Sequence, residues 1–204
     1  MPKTVDRSER REALLAAVWR VIARDGLERA TIRTIAEETG WSTGVLAHYF
    51  ADKEDILSSA LQLSQERIAA RWDEKLEGLQ GVAALRELVL DNLPLDDERE
   101  LETRFHFSYW TRLLTRDDLA NRQWKQGPEL VDRLTALVED ARSLGEMEPG
   151  VPSADVGERL LALIDGLSLH ALLNPERLTR ERQAAIVEQE LEHMATRTRG
   201  RGDA

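Results

Sequence analysis

The chain has 204 residues, with 28 Lys and Arg against 38 Asp and Glu and a formal charge of −10, which excludes the broadly basic surface of a general nucleic-acid coat. At 42% hydrophobic and 32% charged residues it has the composition of a globular protein, and the absence of cysteine excludes thiolate catalysis, iron–sulfur clusters, thiolate zinc sites and disulfides. No stretch reaches the roughly 18 uncharged residues of a membrane span and no signal-peptide core is visible, so the expectation is a cytoplasmic protein with no membrane partner.

Strand-like alternation is nearly absent and the six prolines fall mainly at element edges, which predicts an all-α fold of about nine helices. The first helix is expected from about Ser8 to Asp25, with Leu14, Leu15, Val18, Val21 and Ile22 as its apolar stripe and Gly26 as its stop. Near the N-terminus, Lys3, Arg7, Arg10 and Arg11 read either as a flexible basic arm for DNA or as a solvated end. Thr31 is a good N-cap for a helix over 32–39, Ser42 for a short helix through Phe50, and Asp52 for a long one reaching almost to Gly78. Further helices are predicted at about 82–93, 98–115, 117–144, 154–173 and 179–197, with a break at Gly127-Pro128 and a disordered tail over 198–204.

The informative stretch is Thr31 to Lys53, TIRTIAEETGWSTGVLAHYFADK. Two short helices meet at a turn where Gly40 supplies the positive φ and Ala36 permits a close crossing, the requirements of a helix-turn-helix. With Ile32, Ile35, Leu46 and Phe50 turned inward, Ser42, Thr43, Val45, His48 and Tyr49 are left for the outer face that would enter a major groove.

Gly26, Thr31, Ile32, Ile35, Ala36, Gly40, Trp41, Ser42, Gly44, Leu46, Tyr49, Phe50, Lys53 and Ile56 stand in order and at the spacing of one known pattern. Over residues 8–57 the chain resembles the DNA-binding head of the tetracycline-repressor (TetR) family of transcriptional regulators. The resemblance implies that Ser42 and Thr43 contact phosphate or bases and that His48 and Tyr49 read base edges or backbone. It also implies Lys53 as a phosphate anchor, with Thr31 and Arg33 as further phosphate contacts. The chain departs from the pattern at Ala47, where a tyrosine is usual, and at Val45, where a hydroxyl or small residue is common; either apolar group could meet a thymine methyl. The expected division is a DNA-binding domain over 1–52, a ligand-binding and dimerisation domain over 53–197, and the tail.

Gly40-Trp41-Ser42-Thr43-Gly44 also spells G-x-S-x-G, but a nucleophile elbow needs a strand before its serine, and the preceding residues read as helix. His48, His106, His170 and His193 lie too far apart in sequence to spell a metal site. No catalytic residue, metal or cofactor is therefore expected.

Residues 61–204 carry 19 basic and 28 acidic residues, whereas residues 1–60 carry 9 and 10, so the acid sits mainly outside the head. Phe105, His106, Phe107, Tyr109 and Trp110 cannot all face one seam at 100° per residue. They suggest an effector pocket lined by Trp72, His106, Phe107, Trp110 and His170, with Glu102 or Asp165 as polar handles, suited to an amphipathic cation. The helix over 154–173 is apolar on two faces. Val156, Leu160, Leu163 and Leu167, with Val187, Leu191 and Met194, are expected to form a four-helix homodimer interface. Ala162-Leu163-Ile164-Asp165-Gly166-Leu167 followed by Asn174-Pro175 is similar to the choline- and fatty-acid-type branch of the family. The expected function is a repressor that binds palindromic double-stranded operator DNA as a homodimer and responds to a small molecule; the rival reading is an all-α binding protein or enzyme with a vestigial head.

Overall fold

The computed structural model describes residues 3–114 and 129–196, and every regular element among them is helical. Among the described residues there are nine α-helices: α1 (Lys3–Asp25), α2 (Ile32–Thr39), α3 (Thr43–Tyr49), α4 (Lys53–Leu76), α5 (Gly81–Asp91), α6 (Asp97–Leu113), α7 (Glu129–Ser143), α8 (Ser153–Leu173) and α9 (Arg180–Thr196). A 3₁₀ turn, Leu27–Arg29, joins α1 to α2. No helix among the described residues is long and apolar enough to cross a membrane.

The predicted elements are present with end shifts of a few residues, apart from the start of α1. Its backbone is helical from Lys3, so Lys3, Arg7, Arg10 and Arg11 stand on a helix and not on a flexible arm. The physical reason is that no Gly or Pro interrupts the run from Lys3 to Arg11, so the helix that starts the stripe of Leu14 and Val18 extends back through it. The Gly127-Pro128 break, the first part of the 117–144 prediction and the tail lie outside the described residues.

The described residues fall into two compact units. One runs through Arg71 and takes in the segment from Leu101; the other holds Trp72–Glu100 and the described residues from Glu129 onward. In the first unit Leu14, Val18, Trp19, Val21 and Ile22 of α1 pack with Ile35 and Ala36 of α2, Leu46 of α3, and Ile56, Leu57, Ala60 and Leu61 of α4. Phe105 and Tyr109 of α6 complete this core. Each Val, Leu, Ile or Phe among them, taken fully from water, contributes roughly 1.5–3 kcal/mol, which is what holds helices as short as α2 and α3 in place.

In the second unit α5, α7, α8 and α9 pack on one another through Leu85, Leu88, Leu134, Val138, Leu160, Ile164 and Val187, all buried. The α7–α8 crossing requires a glycine: a Cβ on Gly157 would stand 2.5 Å from Thr135 Oγ1 and 3.3 Å from the Thr135 amide nitrogen. The start of α5 lacks a side-chain cap of its own. Asp140 and Glu146 supply one, accepting from the Gly81 and Val82 amides at 2.7 Å each.

Candidate DNA interface and effector site

The head is built from local rules that the sequence obeys closely. Thr31 Oγ1 accepts from the Thr34 amide at 3.2 Å, while Thr34 Oγ1 accepts from the Thr31 amide at 2.8 Å, a reciprocal cap that starts α2. Gly40 ends α2 at φ 73°, a left-handed conformation that any side chain would strain. Ser42 then caps α3, its Oγ accepting from the Val45 amide at 3.2 Å. With Leu46 fully buried and Phe50 half-buried against the core, Ser42, Thr43, Gly44, Val45 and Ala47 all face solvent. Residues 40–44 thus connect two helices, without the strand that a nucleophile elbow needs.

Ion pairs fix α2 against α1. Glu38 accepts from Arg20 at 2.7 Å and from Arg24 at 2.8 Å, and these guanidiniums hold its carboxyl below the usual range. The Lys53 ammonium donates to the Leu27 carbonyl at 2.8 Å, which ties the start of α4 to the 3₁₀ turn. Arg33 is exposed on α2 and pairs with Glu37 at 2.9 Å. Thr31 is also exposed; His48 and Tyr49 fall within α3, with their side chains outside the described set.

The residues predicted for an effector pocket divide between the two units. In the first, Glu102 is buried and accepts from Arg71 at 2.9 Å. His106 Nε2 lies 3.0 Å from Ser64 Oγ. Burial, aided by the Arg71 charge, pushes the His106 pKa down to about 4, so the ring is neutral at pH 7. Phe107 meets Trp110 edge to face at 5.1 Å, and Trp110 is 41% exposed. The aromatic run does diverge as its spacing requires, since Phe105 and Tyr109 enter the core.

In the second unit Trp72 is buried, with the Arg133 guanidinium 5.4 Å from its ring centroid, so one ring face already has a cation. Burial pushes the Asp165 carboxyl up to about 6. Ser168, one turn further along α8, is buried, and its hydroxyl has no hydrogen-bond partner among the described residues. His170 is exposed and lies about 140° around the helix from Asp165, so the two do not share a face.

Ser64, Arg71 and Arg133 carry no local signal in the sequence: each is the partner of a predicted residue on another helix, and no local spacing announces it.

Of the residues expected at a dimer interface, Val156, Leu160, Leu167, Val187 and Leu191 are buried within the single chain. Leu163 and Met194 remain half-open. They line a groove of about 340 Å³ with Arg159, Ala162 and Glu190. Leu169 and Leu173 on α8 are 40% and 64% exposed.

Residues 14–60 match the family described as bacterial regulatory proteins, tetR family, and residues 81–196 match the BetI-type transcriptional repressor, C-terminal. The chain belongs to the TetR family of transcriptional regulators. This TetR-family chain is 33% identical to the HTH-type transcriptional regulator PksA of Bacillus subtilis (strain 168), over 94% of its own length and 93% of that protein's. It is 29% identical to BetI of Escherichia coli (strain K12), over 91% and 94% of the two chains. Among solved structures, a transcriptional regulator from Saccharomonospora viridis in complex with choline superposes with a TM-score of 0.80 at 25% identity, over 91% of this chain and 97% of that one. A regulator from Rhodococcus sp. Rha1 gives 0.77 at 28% identity, over 91% and 96%. The TetR head contains the capped α2–α3 pair, and the BetI-type match covers α5 to α9.

Proposed function

We propose that this TetR-family repressor binds a palindromic operator as a homodimer, inserting α3 of each head into the major groove, and that a small molecule bound by the helical body releases it. The observation that carries the reading is the outward face of α3: Ser42, Thr43 and Val45 are exposed while Leu46 of the same helix is fully buried. On this reading Ser42, Thr43, Val45, His48 and Tyr49 contact the groove, and Thr31, Arg33 and Lys53 contact phosphate. The head occupies residues 1–52 and the effector and dimer functions residues 53–197. The dimer uses the open parts of α8 and α9, with Ala162, Leu163, Leu169, Leu173 and Met194 meeting their copies, and the buried Val156, Leu160, Leu167, Val187 and Leu191 form the layer beneath.

The effector is a small amphipathic cation. Support comes from the choline complex of the S. viridis regulator and from this chain's own second unit, where, among the described residues, Asp165 has no cationic partner and the Ser168 hydroxyl and Trp72 indole N–H have no hydrogen-bond partner. A ligand moves the head only through its different affinity for the bound and released states.

The test is a selection of bound duplexes from random-sequence DNA by the full chain at near-physiological salt. The expected product is an inverted repeat whose half-sites are centred about one helical turn apart, ~34 Å, or a multiple of it. Choline and larger amphipathic cations are then added to the complex, and release of DNA is the expected response. Enrichment of no sequence would leave the head without an operator and overturn the reading.

A further inference from the structure

We infer that Gly44 sets how deeply α3 enters the major groove, and that Val45 and Ala47 read thymine methyl groups at that depth. The inference rests on the operator reading of α3 given above.

Gly44 sits in the first turn of α3 with a φ outside the left-handed region, so its backbone is open to any residue. A Cβ added there would meet one atom, Ser42 Oγ, at 3.8 Å, which is ordinary van der Waals distance. Among the described residues neither conformation nor packing calls for a glycine, in contrast to Gly40 with its φ of 73° and to Gly157 with Thr135 2.5 Å from its added Cβ. Within a helix glycine is less favourable than alanine. Gly44 is exposed on the side of α3 that the operator reading turns to the groove, where its missing methyl leaves room for the duplex.

The side chains around it give that room a purpose. Between Trp41 and Phe50 there is no Arg, Lys, Asn or Gln, the residues that pair bidentately with guanine or adenine. The described outward side chains are short: Ser42, Thr43, Val45 and Ala47, with Val45 41% exposed. Hydroxyls accept either kind of partner, whereas an isopropyl or methyl group discriminates only by contact with the thymine methyl. Such short groups reach a base edge only if the helix backbone comes close, and the bare Cα of Gly44 permits that approach.

The experiment uses the full chain and the operator recovered by selection. Each thymine of a half-site is replaced in turn by deoxyuridine, which removes the methyl alone. At one or two positions binding should weaken about three- to fivefold, the effect of losing one buried methyl. Val45→Ala should abolish that sensitivity at one of them. Gly44→Ala should melt at the same temperature as the parent or higher, yet bind operator at least about tenfold more weakly, a loss within the range of a groove contact. An operator indifferent to every uracil exchange, a Gly44→Ala protein that binds as tightly as the parent, or one that melts lower, overturns the inference and leaves the operator reading standing. Recovery of no operator from the selection overturns both.

Discussion

His106 and Asp165 carry their protons over different ranges from free side chains, and in opposite directions. Burial lowers the imidazole pKa from 6.5 to about 4, so between those values the unfolded chain binds more protons than the folded one. That contribution to stability grows as pH rises through the window and is lost as pH falls through about 4. For Asp165 burial raises the carboxyl from 3.8 to about 6, so the folded chain binds more protons and stability falls as pH rises from about 4 to 6. The two slopes oppose each other in the parent. Relative to it, Asp165→Asn should lose stability on going from pH 6.5 to 4.5, and His106→Gln should gain it. Urea midpoints at the two pH values measure this. The effect should be on the order of 2 kcal/mol for the imidazole and smaller for Asp165, whose carboxyl titrates over less of that pH interval. Equal pH dependence in all three proteins would count against both assignments. Neither shift was legible in the sequence, where His106 and Asp165 were notable only for standing among apolar residues. The partner that marks His106 as enclosed, Ser64, lies on another helix 42 positions away.

At the scale of elements, α6 is the helix whose place the periodicity described least well, because its apolar residues point several ways. The structure assigns Phe105 and Tyr109 to the core of the first unit, where the Phe105 ring lies 6.3 Å from that of Trp19 on α1. Arg112 of the same helix pairs with Glu54 near the start of α4. The head is therefore packed on α6 as well as on α4, and a displacement of either helix would disturb the seat of α2 and α3. Phe105→Ala should destabilise the chain by about 3–5 kcal/mol, the usual effect of emptying a buried aromatic site, while Phe105→Leu should cost much less. Chemical denaturation followed by tryptophan fluorescence separates these outcomes; equal, small losses would show that α6 is not part of the core. The contrast with α2 and α3 explains how much was legible. Their caps, glycine turn and inward residues are set within eight or nine positions, so Thr31, Gly40 and Ser42 fall where local rules put them. The residues of α6 and α8 answer to partners far away in sequence. Hence the two apolar faces of α8 are legible in the sequence, whereas the cover that the chain itself gives Val156, Leu160 and Leu167 is not.

For the whole molecule the net charge of −10 poses a problem that the distribution resolves. The first 60 residues hold 9 cations and 10 anions, and the remaining chain 19 and 28, so the excess acid belongs largely to the part that does not read DNA. A head near neutrality gains little from counterion release over random sequence, and carboxylates elsewhere repel a duplex that is not docked in register. Neutralising exposed acids outside the head should then favour the wrong DNA more than the right one. A variant with Glu77, Glu139, Glu158 and Glu176 all changed to Gln is suited to the test, since each is exposed and belongs to the second unit. At low salt, about 50 mM, its affinity for random duplex should rise several-fold while operator affinity rises less, so the specificity ratio falls. Near 300 mM, where the Debye length is only about 5–6 Å, parent and variant should converge. Fluorescence anisotropy with operator and scrambled duplexes over that salt range makes the comparison, and an equal gain on both DNAs would mean that the acidic body does not contribute to discrimination.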